Sequence, residues 1–315
     1  MQKSSPRKPE NPAKIAAKGR FVPHLSLLLA MLVWSSSFIA LKLALSGLTP
    51  IQTMAGRMFT ACIIFVPIWP GLFRAIRQQG QVGALLLLGL CEPCLYFLFE
   101  THALQLTTAS QAGMVSCLLP LLVAVAAWPL LHERISPRGW LGLGLAALGV
   151  IWLSLAATPE KGAPAPLLGN ALEALAMTCG ACYTIAVRRL SYSYTALQIT
   201  AVQSGIGLIF FALLLLLPAS PTRIELGMDL PAWLPWASVV YLGACVTLGG
   251  YGLYNYGVER LGAGQAAAYI NLLPVMTLAM GVALLNEVFL PEQYLAAGLI
   301  ILGLVLSQWR GKERG

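Results

Sequence analysis

The sequence predicts an all-α integral membrane protein with ten transmembrane helices arranged as two inverted five-helix repeats. Three observations carry this. First, 58% of the 315 residues are hydrophobic and only 10% are charged, against roughly 25% charged in a soluble domain. Apolar runs of about twenty residues recur, the length a helix needs to cross ~30 Å of hydrocarbon. Second, the stretch Ala109–Gly149 returns 154 residues later as Ala263–Gly303. Gln111/Gln265, Pro120/Pro274, Glu133/Glu287, Pro137/Pro291, Gly144/Gly298 and Gly149/Gly303 all match at that one spacing, and polar and helix-breaking residues at a constant offset mark a duplication. Third, lysine and arginine alternate between loops as they do when cytoplasmic loops collect positive charge.

In chain order, residues 1–23 form a basic tail with Lys3, Arg7, Lys8, Lys14, Lys18 and Arg20 among small polar residues and prolines. The apolar run that follows, His24 to Leu45, exceeds the 7–15 residues of a signal core and reads as a retained first span. The second to fifth spans fall at 53–71, 82–103, 107–131 and 138–155. A Pro- and Gly-bearing linker, 156–166, separates the halves. The sixth to tenth spans fall at 167–188, 196–217, 231–256, 262–285 and 291–309, and 310–315 is a second basic tail. The domain boundaries are thus 1–23, 24–155, 156–166, 167–309 and 310–315.

With ten spans, sixteen of the twenty Lys and Arg residues fall on the side of the two tails and only Lys161 and Arg223 on the other. Both termini are therefore expected in the cytosol of a bacterial inner membrane, with the linker in the periplasm. The net charge of +8 is explained by this topology, without nucleic acid as a partner. Because each half has five spans, the second half enters the membrane in the opposite sense. Inverted repeats of this kind recur in secondary transporters, with the substrate site between the repeats near mid-membrane.

Candidate functional residues are the polar groups placed where they are costly. Glu92 lies about ten residues into the third span, and an ionisable side chain at that depth costs several kcal/mol unless it meets a partner or a wet cavity. Two roles are open to it: a carboxyl satisfied inside the bundle, or a proton- or cation-coupling group. Pro93 beside it, Pro120 and Pro274 each remove an amide hydrogen from a helix interior. The backbone so freed is tolerated where protein or cavity water satisfies it, so all three are helix-break candidates. Tyr96 at i+4 from Glu92 is expected on the same face, with Glu100 at its edge. Arg57, Glu100 and Lys42 share the outer layer and are expected to form an ion-pair cluster or a gate. Trp34, Ser36, Tyr183, Tyr251, Tyr254, Gln203 and Asn271 complete the substrate-cavity candidates. Glu133 and Glu287, at helix ends near opposite surfaces, read as loop anchors.

The residues also bring a family into view. Trp34-Ser35-Ser36-Ser37-Phe38, Arg57, Ala103-Leu104, Pro120 and Leu131-His132-Glu133-Arg134-Ile135-Ser136, answered by Tyr183, Gly257-Val258, Pro274 and Asn286-Glu287-Val288, resemble the EamA family of the drug/metabolite transporter superfamily. The resemblance spans nearly the whole chain after residue 24. It implies ten helices and the export of metabolites, often amino acids or related small solutes, without naming a substrate. The chain departs from the usual pattern at Ser35, where the family commonly has Gly, and has Gln203 where the first half has Arg57.

The seven cysteines all lie inside apolar runs and are expected to act as small hydrophobes. The Cys91/Cys94 and Cys179/Cys182 spacing lacks accompanying histidines, so no metal site is expected. No phosphate loop or HExxH motif is present, and neither a cofactor nor an enzymatic activity is expected. Three functions remain open: a proton-driven exporter of amino acids or related small organic solutes, a lipid or lipid-linked-sugar flippase, and a non-transporting auxiliary subunit. The expected partners of the first are a small-molecule substrate, the lipid bilayer and protons.

Overall fold

The computed structural model describes residues 21–131, 136–159, 162–218, 224–226 and 229–308. Both basic tails up to residue 20 and from 309, and Glu133, lie outside the described residues. Every regular element among them is helical, the secondary structure in which a segment satisfies its own backbone without water.

The first half contains α1 (Phe21–Leu45), α2 (Pro50–Ile64), α3 (Trp69–Gln79), α4 (Val82–Gly89), α5 (Tyr96–Leu106), α6 (Ala109–Val115), α7 (Leu118–Leu131) and α8 (Pro137–Leu155). The second contains α9 (Pro166–Leu190), α10 (Ala196–Leu214), α11 (Leu234–Tyr241), α12 (Gly252–Leu261), α13 (Ala263–Tyr269), α14 (Leu273–Leu285) and α15 (Pro291–Gln308). Among the described residues eight continuous helical runs are long and apolar enough to cross a membrane, and a ninth if α2 and α3, bent by 53° at Phe65, count as one. The apolar part of α15, Pro291–Ser307, falls short of that length. The structure thus revises the expected spans. The second breaks at Phe65, the third extends to Leu106, and the eighth starts at Leu234 and runs on to Leu261.

Local sequence fixes the starts. Thr49 and Thr195 close capping boxes with Gln52 and Gln198 at the starts of α2 and α10, so equivalent helices of the two halves begin with the same device. Ser136 caps α8 through the amide of Gly139 at 3.1 Å. The linker runs between α8 and α9 and is tied down by a backbone bond from the Ala165 amide to the Leu106 carbonyl and by a bond from the Lys42 ammonium to the Gly162 carbonyl at 2.6 Å. Lys42 thereby anchors the linker.

The helices are apolar outside and contain small and polar residues inside. Leu141, Ile209, Leu213 and Leu302 are exposed, while Ser35, Thr53, Ser110, Thr200 and Ser204 are buried. With lipid as apolar as leucine, helices associate through close packing of small residues and polar contacts. The tightest case is α8 against α15. A Cβ on Gly303 would lie 2.5 Å from the Ala146 amide nitrogen and 2.6 Å from the Gly142 carbonyl.

Helix pairing is unchanged when the halves are exchanged. The α2 and α10 spans pack together, α6 and α7 pack on α14 and α13, and α8 packs on α15. The pairing of α1 with the α11–α12 span is mirrored by that of α9 with α5. Exchanging equivalent helices of the two halves reproduces these pairings, as a two-fold relation between repeats would.

Candidate functional site

Interruptions in four spans surround the centre of the bundle. Between α4 and α5, π-helical turns at Leu90–Leu95 take Glu92 out of helical geometry (φ −149°, ψ 118°), and the Glu92–Pro93 bond is cis. In the eighth span Leu242–Tyr251 is also π-helical, a feature frequent at functional sites. The fourth span breaks at Ser116–Cys117 and the ninth at Ile270–Leu272. Pro120 and Pro274 were expected inside helices but fall in the first turns of α7 and α14, where a missing amide hydrogen costs little. The carbonyls they would have orphaned are served at short range, Ser116 by the Leu119 amide at 3.0 Å and Ile270 by that of Leu273.

The interruptions face one cavity between the halves. Its walls are Trp34, Ser37 and Phe38 of α1; Arg57 of α2; Glu92, Tyr96 and Glu100; Ser116 and Leu119; Met177, Gly180, Tyr183 and Thr184 of α9; Tyr251 and Tyr254; and Ile270 and Leu273. Trp34, Arg57, Glu92, Tyr96, Glu100, Tyr183, Tyr251 and Tyr254 are therefore brought together, as the sequence suggested. Three other candidates are not in the walls. Ser36 instead contacts the Tyr241 hydroxyl at 2.5 Å. Gln203 sits behind, 3.0 Å from the Tyr183 hydroxyl, and donates to the Glu92 carbonyl at 3.4 Å. Asn271 lies beside the wall residue Ile270 with its Oδ1 buried and unpartnered.

Partners within the cavity differ from those expected. Because the helix breaks at Glu92, Tyr96 does not serve that carboxyl; its hydroxyl donates to Glu100 Oε1 at 3.1 Å. Glu92 instead faces Tyr251 of the other half, close enough to interact with it electrostatically. Arg57 forms no ion pair with Glu100. Its Nε donates to Thr247 Oγ1 at 3.0 Å and its guanidinium lies 4.0 Å from the centre of the Phe97 ring, a cation–π distance. Aromatic rings build much of the wall, with Trp34 centred 5.0 Å from Tyr251 and 4.7 Å from Tyr254.

One residue was missed. Glu173 of α9 is fully buried, and neither carboxyl oxygen has a hydrogen-bond partner. It lies close enough to Glu100 and Tyr96 to interact with both electrostatically. The spacing Glu173, Met177, Gly180, Thr184 puts it one turn before the wall residues on the same side of α9, itself outside the walls, and this was the signal available in the sequence.

The linker end of the bundle is sealed beyond this carboxyl. Thr107 Oγ1 donates to Asn170 Oδ1 at 2.7 Å, and Asn170 Nδ2 reaches Gln111 Oε1 and Ser154 Oγ, each at 3.0 Å. Glu287 accepts from the amides of Ala109 at 2.7 Å and Ser110 at 2.9 Å and from the Ser110 hydroxyl. Thr108 serves the amide of Gln111 at 3.1 Å. The first turn of α6 is thus satisfied by side chains, consistent with Glu287 as a loop anchor. At the opposite end Gln265, the repeat partner of the buried Gln111, is exposed.

A shell of apolar helices around one polar and aromatic cavity defines a multi-pass membrane protein built from two copies of a helical unit. The chain belongs to the EamA-like transporter family, whose model matches residues 22–155 and again 167–309. It is 25% identical over 303 residues, 95% of this chain and 90% of the relative, to an uncharacterized transporter, YetK, of Bacillus subtilis strain 168. A probable amino-acid metabolite efflux pump of Escherichia coli K12 is 27% identical over 297 residues, covering 90% of this chain and 95% of the relative. A solved crystal structure with 21% identity shares the fold at a TM-score of 0.59, over 91% of this chain and 97% of its own.

Proposed function

We propose that this protein is a secondary active transporter that exports small metabolites, amino acids or related small organic solutes, by alternating access driven by the proton gradient. The observation that carries the reading is the central cavity, in which Glu92, at a broken helix, meets Tyr251 from the other repeat. A carboxyl between two movable halves is suited to load a proton on one side of the membrane and release it on the other. The relatives named as amino-acid metabolite efflux pumps support the solute class and the outward direction.

The topology that goes with this reading has ten crossings in a bacterial cytoplasmic membrane, both tails cytosolic and the linker periplasmic. Counting the bent α2–α3 pair as one crossing gives nine. The tenth is α15, whose 18 residues span about 27 Å at 1.5 Å per residue and pack along α8. Five crossings per half make the two-fold pairing an inverted repeat, with its axis in the membrane plane. The side-chain contacts that close the linker end then correspond to a carrier closed toward the periplasm. Transport is a non-enzymatic function, in keeping with the transporter relatives. A flippase would call for a basic headgroup pocket, and Arg57 is the one cation in the cavity wall.

The test is uptake and counterflow of a labelled panel of amino acids and organic solutes into proteoliposomes holding the purified protein. Saturable, gradient-dependent movement of a small solute supports the reading. Lipid scrambling without solute movement, or no movement of either, overturns it.

A further inference from the structure

The charges inside the bundle do not balance. Among the described residues three carboxyls, Glu92, Glu100 and Glu173, are 4%, 5% and 0% exposed, against one guanidinium, Arg57, at 2%, and one ammonium, Lys42, at 2%, which is bonded to the Gly162 carbonyl. Arg57 is already engaged with Thr247 and the Phe97 ring. Two of the carboxyls face tyrosines, Tyr251 beside Glu92 and Tyr96 donating to Glu100. Glu173 has no hydrogen-bond partner on either oxygen. A fully buried acceptor group without a donor is rare in folded proteins and calls for an explanation.

Position supplies one. Glu173 lies behind the cavity wall, one turn before the wall residue Met177 in α9 and near the wall residue Glu100. On the linker side the Asn170–Thr107–Gln111 cluster closes the path. Among the described residues the groups that interact electrostatically with Glu173 are Glu100, itself acidic, and the Tyr96 hydroxyl. An ammonium group placed between Glu100 and Glu173 would supply donors to both and offset the excess of carboxyls. The rest of the wall suits such a ligand: Trp34, Tyr96, Tyr183, Tyr251 and Tyr254 surround the space, and aromatic faces attract ammonium groups, most strongly where water is excluded. The arginine that would hold a ligand carboxylate is, by contrast, stacked and hydrogen-bonded elsewhere.

We propose that the solute is recognised through a protonated amine, held between Glu100 and Glu173, on a molecule whose body is aromatic or apolar and which needs no carboxylate to bind. The assignment rests on the transport reading above, because it names the class of solute carried. Binding is measured without a gradient, so the two readings fail separately.

The experiment titrates the purified, detergent-solubilised protein at neutral pH with three molecules sharing one phenyl body: 2-phenylethylamine, phenylalanine and 3-phenylpropionate. The amine is expected to bind about tenfold or more tighter than the carboxylate, and at least as tightly as the zwitterion. Glu173→Gln, which preserves size, is expected to weaken the amine by about tenfold while leaving carboxylate binding unchanged. A zwitterion that binds more tightly than the amine assigns the site to amino acids through both charged groups and overturns the proposal. So does an amine that binds no better than the carboxylate, or a folded Glu173→Gln protein with wild-type amine affinity. The ranking on wild-type protein decides the matter even where a variant does not fold.

Discussion

Glu287→Ala is expected to unlatch the linker end of the bundle. The carboxylate accepts from the amides of Ala109 and Ser110 at 2.7 and 2.9 Å, and from the Ser110 hydroxyl. These are the first two amides of α6, and no carbonyl of the helix can reach them. Hydrogen bonds to a charged group contribute roughly 1.5–3 kcal/mol each, and a buried donor left without its acceptor costs about 1–3 kcal/mol. The site is only part-buried, so water replaces some of what is lost, and a net cost of about 3 kcal/mol follows for alanine. Glu287→Gln keeps one acceptor oxygen without the charge and should lose about half of that. Gly281 offers a second route to the same latch, since a Cβ there would press on the Ser110 hydroxyl and lie 2.5 Å from Glu287 Oε2. Gly281→Ala should therefore destabilise as well, and the Gly281→Ala, Glu287→Ala double variant should cost less than the sum of the two, because they share the Glu287 contact while the Ser110 contact remains. Unfolding by sodium dodecyl sulfate in mixed micelles, followed by circular dichroism, measures all four proteins. If Glu287→Ala falls within about 0.5 kcal/mol of the wild type, as an ordinary surface change would, or if the two changes add, the latch is wrong.

Three further outcomes follow from the packing and the topology. Gly303→Leu should unseat α15 from α8, because its Cβ would meet the Ala146 nitrogen at 2.5 Å; a lower melting temperature and protease access at α15 would show it, and an unchanged melt would refute backbone-to-backbone contact. Arg57 and Phe97 should couple by about 0.5–2 kcal/mol in a double-mutant cycle of Arg57→Lys and Phe97→Leu, whereas Arg57 and Glu100 should show less coupling than that pair. In a background without the seven native cysteines, Pro164→Cys in the linker should react with an impermeant maleimide from the periplasm and Gln78→Cys only from the cytosol. Both positions are exposed and lie outside the left-handed backbone that Gly162 adopts at φ 78°. The reverse labelling would invert the topology.

The fold was legible because membrane helices announce themselves by length and apolarity, and because the repeat carries Pro120/Pro274 and Glu133/Glu287 at one offset. The break at Phe65 and the continuation past Tyr256 were not, since in a lipid-facing sequence a bent and a straight helix have the same composition. For the site, depth could be read and rotation could not. Counting residues along a span put Arg57 and Glu100 in one layer, but only the packing shows that Arg57 turns to Phe97 and Thr247. The i+4 rule linked Glu92 to Tyr96, and it failed because Glu92 itself departs from the helix, which leaves Tyr96 to Glu100. Glu173 escaped notice because it lies early in its span, where a lone carboxyl resembles an interfacial residue. The helical spacing to Met177 and Gly180 acquires meaning only once α9 is seen against α5.

The central claim is that Glu92 couples solute movement to the proton gradient. Glu92→Gln keeps the size and polarity of the side chain facing Tyr251 but cannot exchange a proton. Proteoliposomes with an imposed pH gradient, loaded with a solute the wild type carries, measure both concentrative transport and solute-for-solute exchange. The account predicts that Glu92→Gln abolishes gradient-driven accumulation while exchange continues. Accumulation at the wild-type rate by Glu92→Gln would contradict it and reduce this glutamate to a satisfied residue of the core.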